Sequence, residues 1–295
     1  MTFQSLHLKA RWLGHQRIDL ESCASTNDEA SRLARAGARH GTVVIAERQT
    51  NGRGRDGRIW ESSPGGLYLS AIVRPLLPVV DVPPMTLAIG IGLCDAIRFA
   101  GAPATLKWPN DVLVVPGGRG ELAPLHLGPA GRSESAPLQL RPRKLAGVLV
   151  EAQSQGNKLE SVVVGIGINL DGELPASVAQ TGITLSEASG TTIDREAFIA
   201  QLLADVERWI DRYVGVGLDA IIPAWTDRMA LGLAARATID GVSILGEVTG
   251  LDLDGALLLR DDEGNVHRVR SGDVEVLRTS AVPSVTAVET SATAS

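Results

Sequence analysis

The sequence predicts an α/β chain, a mixed β-sheet flanked by helices and followed by a small β-barrel. Three observations carry this. Short apolar, β-branched runs at 42–47, 66–73 and 161–170 have strand length and turn residues at their ends. Residues 196–214 place Phe198, Ile199, Leu202, Leu203, Val206, Trp209, Ile210 and Tyr213 on one helical face. After Trp225 the texture changes to five short β-rich runs in about fifty residues, which suggests a small barrel.

The first element expected is a helix over 26–36, opened by a capping box of Thr26 and Glu29 and stopped by Gly37. Strands at 42–47 and 66–73 flank a loop rich in glycine and arginine. Pro83 and Pro84 introduce an apolar helix over 85–100, and short strands follow at 105–108, 111–115, 144–152 and 161–170. Residues 116–143 are Gly, Pro, Ser and Arg without a sustained period and read as a mobile insertion between two strands. The amphipathic helix 196–214 makes Trp209 a core residue. Barrel strands are expected at 235–239, 243–251, 256–260, 266–270 and 274–277. The chain therefore divides into a catalytic domain (1–228), a small β domain (229–278) and a disordered tail (279–295), with no internal repeat.

A net charge of −6 without a basic run argues against nucleic acid as a general partner. Cys23 and Cys94 are far apart, and no HExxH or CxxC occurs, so neither a zinc site nor a disulfide framework is expected. A reduced, cytoplasmic setting follows. The N-terminus has no signal-peptide pattern, and no apolar run suggests a membrane span. Only 24 residues precede Ser25, too few for a helix-turn-helix head.

The most informative stretch is Gln49-Thr50-Asn51-Gly52-Arg53-Gly54-Arg55-Asp56-Gly57-Arg58-Ile59-Trp60. Glycine permits close backbone approach, and arginine offers a permanent cationic fork for carboxylate or phosphate. Gly52, Gly54 and Gly57 satisfy GxGxxG, yet turn and strand follow where a dinucleotide fingerprint needs a helix. No P-loop occurs either, so arginines and loop amides must hold the anion. Lys107-Trp108-Pro109-Asn110-Asp111 sets a cation and an anion about a proline turn; alone it reads better as a β-turn with an exposed charge pair. Lys144 opens an apolar strand through Gly147 to Glu151. Val164 to Leu170 alternates apolar residues with Gly165 and Gly167 before Asn169, and strand glycines need something close by to justify them.

Together and in this order, Ser25-Thr26-Asn27, the 49–60 loop, KWPND at 107–111, KLAGVLVE at 144–151 and GIGIN at 165–169 resemble the biotin protein ligases. The resemblance is strong over 25–170 and weaker to about 278. It implies a class II synthetase-like catalytic domain with an SH3-like C-terminal barrel, in a short form without a DNA-binding domain. It also implies a two-step reaction: biotin and ATP give biotinyl-5′-AMP and pyrophosphate, then a lysine of a biotin carboxyl carrier domain of an acyl-CoA carboxylase takes the biotinyl group.

By the same resemblance, Arg53, Gly54, Arg55 and Lys144 meet biotin carboxylate and phosphate. Ser25, Thr26, Asn27 and Gln49 contact biotin's ureido ring. Trp60 covers the adenylate, Lys107 and Asn169 line the ATP side, Asn110 and Gly147 also bind ligand, and Asp111 orients or deprotonates the carrier lysine. Magnesium accompanies the triphosphate, with no dedicated carboxylate cage. Asp56 departs from the family at a position often basic, and the 116–143 segment is longer than usual. The rival readings are a lipoate-type ligase of the same fold and a non-catalytic biotin-binding protein.

Overall fold

The computed structural model describes residues 10–115, 142–239, 242–270, 272 and 274–276. The expected tail (279–295) and nearly all of the expected insertion lie outside these residues. The end of that insertion does not: Arg143 already belongs to a strand.

The elements run β1 (Gln16–Cys23), α1 (Thr26–Arg35), β2 (Thr42–Gln49), β3 (Leu67–Val73), α2 (Met85–Phe99), β4 (Ala104–Lys107), β5 (Asp111–Val114), β6 (Arg143–Gln155) and β7 (Lys158–Ile168). They continue with α3 (Leu185–Ser189), α4 (Arg195–Val216), α5 (Leu218–Thr226), β8 (Ala234–Ile239), β9 (Val242–Leu251), β10 (Leu257–Arg260), β11 (Val266–Val269) and β12 (Val274–Val276). The large sheet has the order β1-β2-β3-β7-β6-β5-β4. It is mixed, because β1 pairs with β2 in parallel while the remaining neighbours are antiparallel.

Side chains on successive strand residues face opposite ways, and the sheet uses this to bury both faces. Val43, Ile45, Leu67, Leu69 and Ala71 join α2 and α4 in the main core, whereas Val44, Ile72 and Val163 pack with Ala30 and Ala34 of α1. Helix α2 is apolar nearly all round because it lies between the sheet and α4. Its Gly92 lets the two helices meet backbone to backbone: a Cβ there would lie 2.8 Å from Val206 Cα. Contrary to the sequence expectation, 79–99 has the length and hydropathy of a membrane span. Its hydropathy is 1.4, but 67% of its most apolar stretch is buried within this core.

The small β unit is a five-stranded antiparallel sheet in the order β11-β10-β9-β8-β12. Its apolar residues Ala235, Ala237, Val248, Leu257 and Leu259 belong to the same continuous core as the large sheet. Two further ties hold it in place. Leu106 of β4 bonds to Arg228 O and Ala230 N on the connecting segment, and Trp108 Nε1 donates to Gly255 O at 3.0 Å.

Candidate functional site

The N-terminus of α1 forms one end of a cleft. Ser25 is the extended residue before the helix and makes no side-chain cap. The expected capping box does not form, because Thr26 lies inside the helix and Glu29 pairs with Arg32. A residue from another element caps the helix instead: Gln49 Oε1, at the end of β2, accepts from Thr26 N at 2.8 Å and Thr26 Oγ1 at 3.1 Å. Gln49 Nε2 donates to Ser62 Oγ at 3.2 Å. Ser70, fully buried on β3, donates to Asn27 Oδ1 at 2.6 Å and lies 2.8 Å from Thr26 Oγ1. Asn27 Nδ2 donates to Glu151 Oε2 at 2.8 Å. Gly165 makes room for this network, since a Cβ there would lie 2.1 Å from Asn27 Oδ1.

The 49–60 loop is a closed hairpin. Arg53 bridges Ile59, Gly54 N donates to Arg58 O, and Trp60 N donates to Gly52 O. A short 3₁₀ turn over Arg55–Gly57 reverses the chain, with Asp56 at φ 54 and Gly57 at φ 75. Aspartate tolerates this left-handed region better than most residues, which accounts locally for Asp56. Arg53 does not reach into the cleft uncommitted: it pairs with Asp28 at 2.7 Å and with Glu151. Arg55 also lines the cleft, and its acidic neighbour Asp56 stands off at 3.6 Å.

Opposite the loop, the β4–β5 turn and β6 bring two lysines onto one carboxylate. Asp111 Oδ1 lies 2.6 Å from Lys144 Nζ and its Oδ2 lies 3.1 Å from Lys107 Nζ. Burial pushes the Asp111 carboxyl up, but Lys144 and Lys107 outweigh it and hold the carboxyl below its ordinary range. The turn contains a cis Trp108–Pro109 bond. Asn110 pins it to β6: its Nδ2 donates to Val148 O at 2.8 Å and its carbonyl accepts from Val148 N.

Trp60 lies across the two bare strands between these groups. A Cβ on Gly167 would lie 2.6 Å from the Trp60 ring, and one on Gly147 would lie 3.1 Å from it. Lys144 Nζ is 5.2 Å from the ring centroid, within cation–π range. Trp60 Nε1 is buried without a hydrogen-bond partner.

One cleft, about 850 Å³ out to its open mouth, is lined by Ser25, Thr26, Asn27, Gln49, Arg53, Gly54, Arg55, Trp60, Lys107, Asn110, Asp111, Lys144 and Gly147. Asn169 is the expected site residue that does not line it. Its Nδ2 donates to Lys144 O at 3.2 Å, and its backbone N and O bond Leu145 and Leu185, so it braces the start of β6 from behind. Sequence reasoning missed Asp28, Ser70 and Glu151. Ser70 left a signal, as a polar residue in the apolar run 67–73. Among the described residues no group of three His, Cys, Asp or Glu side chains is arranged to hold a metal. The arrangement can neutralise anions on two sides, at the loop and at the lysine pair, next to a polar end suited to a neutral hydrogen-bonding ring.

Comparisons with known proteins find matches across most of the chain. The model of the biotin/lipoate A/B protein ligase family matches residues 20–169, and that of the biotin protein ligase C terminal domain matches 236–277. A biotin--[acetyl-CoA-carboxylase] ligase of Paracoccus denitrificans is 31% identical over 81% of this chain and 92% of its own length. The bifunctional ligase/repressor BirA of Bacillus subtilis is 30% identical over 91% of this chain and 76% of its own length. A solved biotin protein ligase from Aquifex aeolicus, in complex with biotin and ATP, superposes with a TM-score of 0.71. It is 26% identical and covers 90% of this chain and 100% of its own.

Proposed function

The chain belongs to the biotin/lipoate A/B protein ligase family, and we propose that it is an ATP-dependent biotin protein ligase acting on a carrier-domain lysine. The observation that carries this reading is the single cleft joining the Thr26–Asn27–Gln49 end, the Gly/Arg loop and the Lys107–Asp111–Lys144 cluster.

In the first step, the biotin carboxylate oxygen bonds to the α-phosphorus of ATP and the bond to the β-phosphate oxygen breaks, releasing pyrophosphate. Two anions must approach, so fixed positive charge at their meeting point lowers the barrier. Lys144 bridges carboxylate and α-phosphate. Arg55 supplies the loop's charge, because Asp28 and Glu151 already meet that of Arg53. Ser25, Thr26, Asn27 and Gln49 bond the ureido ring, Trp60 covers the adenylate, and Lys107 faces the phosphates. Loop closure keeps water from the mixed anhydride. Asp111 is already held by two lysines, so it would not hold magnesium; the ion would come with the triphosphate and supply charge neutralisation there.

In the second step, the carrier lysine's amine attacks the acyl carbon, AMP departs, and the amine proton passes to solvent. With its carboxyl held low, Asp111 is a weak proton acceptor and acts by orienting the amine. Cys23 is a free thiol, in keeping with a cytoplasmic setting.

The test offers the purified chain ATP, a biotin carrier domain and either biotin or lipoate, then reads the carrier's mass. One biotinyl group on one lysine is expected. Modification by lipoate alone would transfer the chain to the lipoate-attaching branch, and no modification with either acid would favour a non-catalytic binder.

A further inference from the structure

A second pocket lies between α2 and α4 and shares none of its described lining residues with the cleft. Helix α4 presents Gln201, Asp205, Arg208, Trp209 and Arg212 to it, at helical spacing along one face. The end of α2 adds Asp95, Arg98 and Phe99, and Arg228 completes the wall. The space is about 1150 Å³ out to its open mouth, ample for a small organic ligand.

Four arginines meet two carboxylates here, although the chain as a whole carries a charge of −6. Arg208 and Arg228 are committed: both pair with Asp95, and Arg208 also meets Asp205 at 2.9 Å. Arg98 and Arg212 have no ion pair among the described residues. Arg98 gives its Nε to Ala104 O, and Arg212 lies over the Trp209 ring, 5.7 Å from its centroid. Arg208 and Arg228 stand by the same ring at 5.7 and 5.5 Å, so like charges crowd one indole. An anion held by Arg98 and Arg212 relieves that crowding. One wall also lacks a donor: Gln201 is 5% exposed, and its Oε1 is buried with no partner. Turning the amide over does not help, because Nε2 already donates to Asp205 Oδ2 at 2.8 Å, where a carbonyl would face a carboxylate. Phe99, at the end of α2, is an aromatic side chain left 55% exposed.

We infer that this pocket is a nucleotide site separate from the cleft, where Arg98 and Arg212 hold a 5′-phosphate, Phe99 stacks on the base, and a ribose hydroxyl or base amine donates to Gln201 Oε1. A nucleoside monophosphate joins the three things the pocket offers. It brings a dianion for two guanidinium forks, a flat ring for an exposed aromatic, and a donor for an orphan acceptor. The inference rests on neither the proposed reaction nor its substrates.

Equilibrium dialysis tests it with AMP, GMP, CMP and UMP in turn, beside inorganic phosphate and the free nucleosides. At least one nucleotide should bind the wild-type chain at a site that Arg212→Ala and Arg98→Gln each weaken by about ten- to a hundredfold, the scale of a hydrogen bond to a charged group. Phe99→Ala should weaken the same nucleotide by at least about fivefold and leave phosphate binding unchanged. Phe99 and Arg212 are exposed, so these two variants should melt near the wild-type temperature, and Arg212→Ala decides the matter even if Arg98→Gln folds poorly. No binding at millimolar nucleotide overturns the inference. So does binding that Arg212→Ala leaves intact, which puts the nucleotide in the cleft, and so does inorganic phosphate bound as tightly as any nucleotide, which makes the pocket a simple anion site. None of these results bears on the biotin ligase reading.

Discussion

Lys144 Nζ sits 2.6 Å from Asp111 Oδ1 while lying 5.2 Å from the centroid of the Trp60 ring. The lysine is therefore aimed by a buried carboxylate on one side and bounded by an aromatic face on the other. Lys144→Ala removes the charge at the junction of two anions. Adenylate formation should slow by about 10²- to 10³-fold, the usual result of deleting one preorganised charge-stabilising group. Rapid-quench measurement of biotinyl-AMP in single turnover, beside the melting temperature, separates this from unfolding.

Asp111→Asn removes the charge shared by two lysines and leaves one acceptor oxygen where there were two. Lys144 then loses its charged anchor and the carrier lysine its orienting carboxylate. Both half-reactions should slow, the transfer step more than adenylation. Because the Asp111 carboxyl lies below its ordinary range, the wild-type acid limb should not report its titration near neutral pH. A transfer rate that follows a group titrating between pH 6 and 7, and does so only when Asp111 is present, would contradict this.

Gly165 and Gly167 leave space for other side chains. Gly165→Ala drives a methyl into Asn27 Oδ1, and Gly167→Ala drives one into the Trp60 ring. The first should weaken biotin binding by roughly tenfold, about 1.4 kcal/mol, with a smaller effect on ATP. The second should impair the nucleotide side more than biotin binding. Titration calorimetry with each ligand checks the split, and equal losses for both ligands in both variants would sink it.

Glu207 offers a test of stability. Its buried carboxylate accepts from the backbone N–H groups of Arg11, Trp12 and Leu13, tying the start of the described chain to α4. Burial raises its pKa, but these donors outweigh burial and leave the folded value below the ordinary one. The ionised form therefore favours folding. Its contribution is complete above the unfolded pKa of about 4.3 and is lost as pH falls through the lower folded value. Glu207→Gln should cost about 2 kcal/mol near neutral pH and much less in acid. Urea unfolding of both proteins at the two pH values measures this.

Much of the large sheet was legible in the sequence because β2, β3 and β7 are buried on both faces and so read as apolar runs. Strand β1 was not. Its QRIDLESC sequence lies at the sheet edge, mostly exposed, and its alternation rests on Ile18 and Leu20 alone, too short a pattern to mark a strand. Helix α5 was hidden by Pro223 within it. The clusters at 25–27, 49–60, 107–111 and 144–147 are each contiguous, so motifs could name them. The links between clusters were not legible. Glu151 and Arg53 lie 98 residues apart and meet only through strand register and loop path. Thr26 shows the opposite failure, where a sound local rule for capping gave way to Gln49 from a neighbouring strand.

The most direct measurement mixes wild-type protein in molar excess with radiolabelled biotin and MgATP, with no carrier present, and quenches the reaction over time. The account predicts that the limiting biotin is converted completely to biotinyl-5′-AMP in one fast burst, with matching pyrophosphate release, and that Lys144→Ala nearly abolishes the burst. Biotin bound without any adenylate, or an undiminished burst in Lys144→Ala, would contradict it.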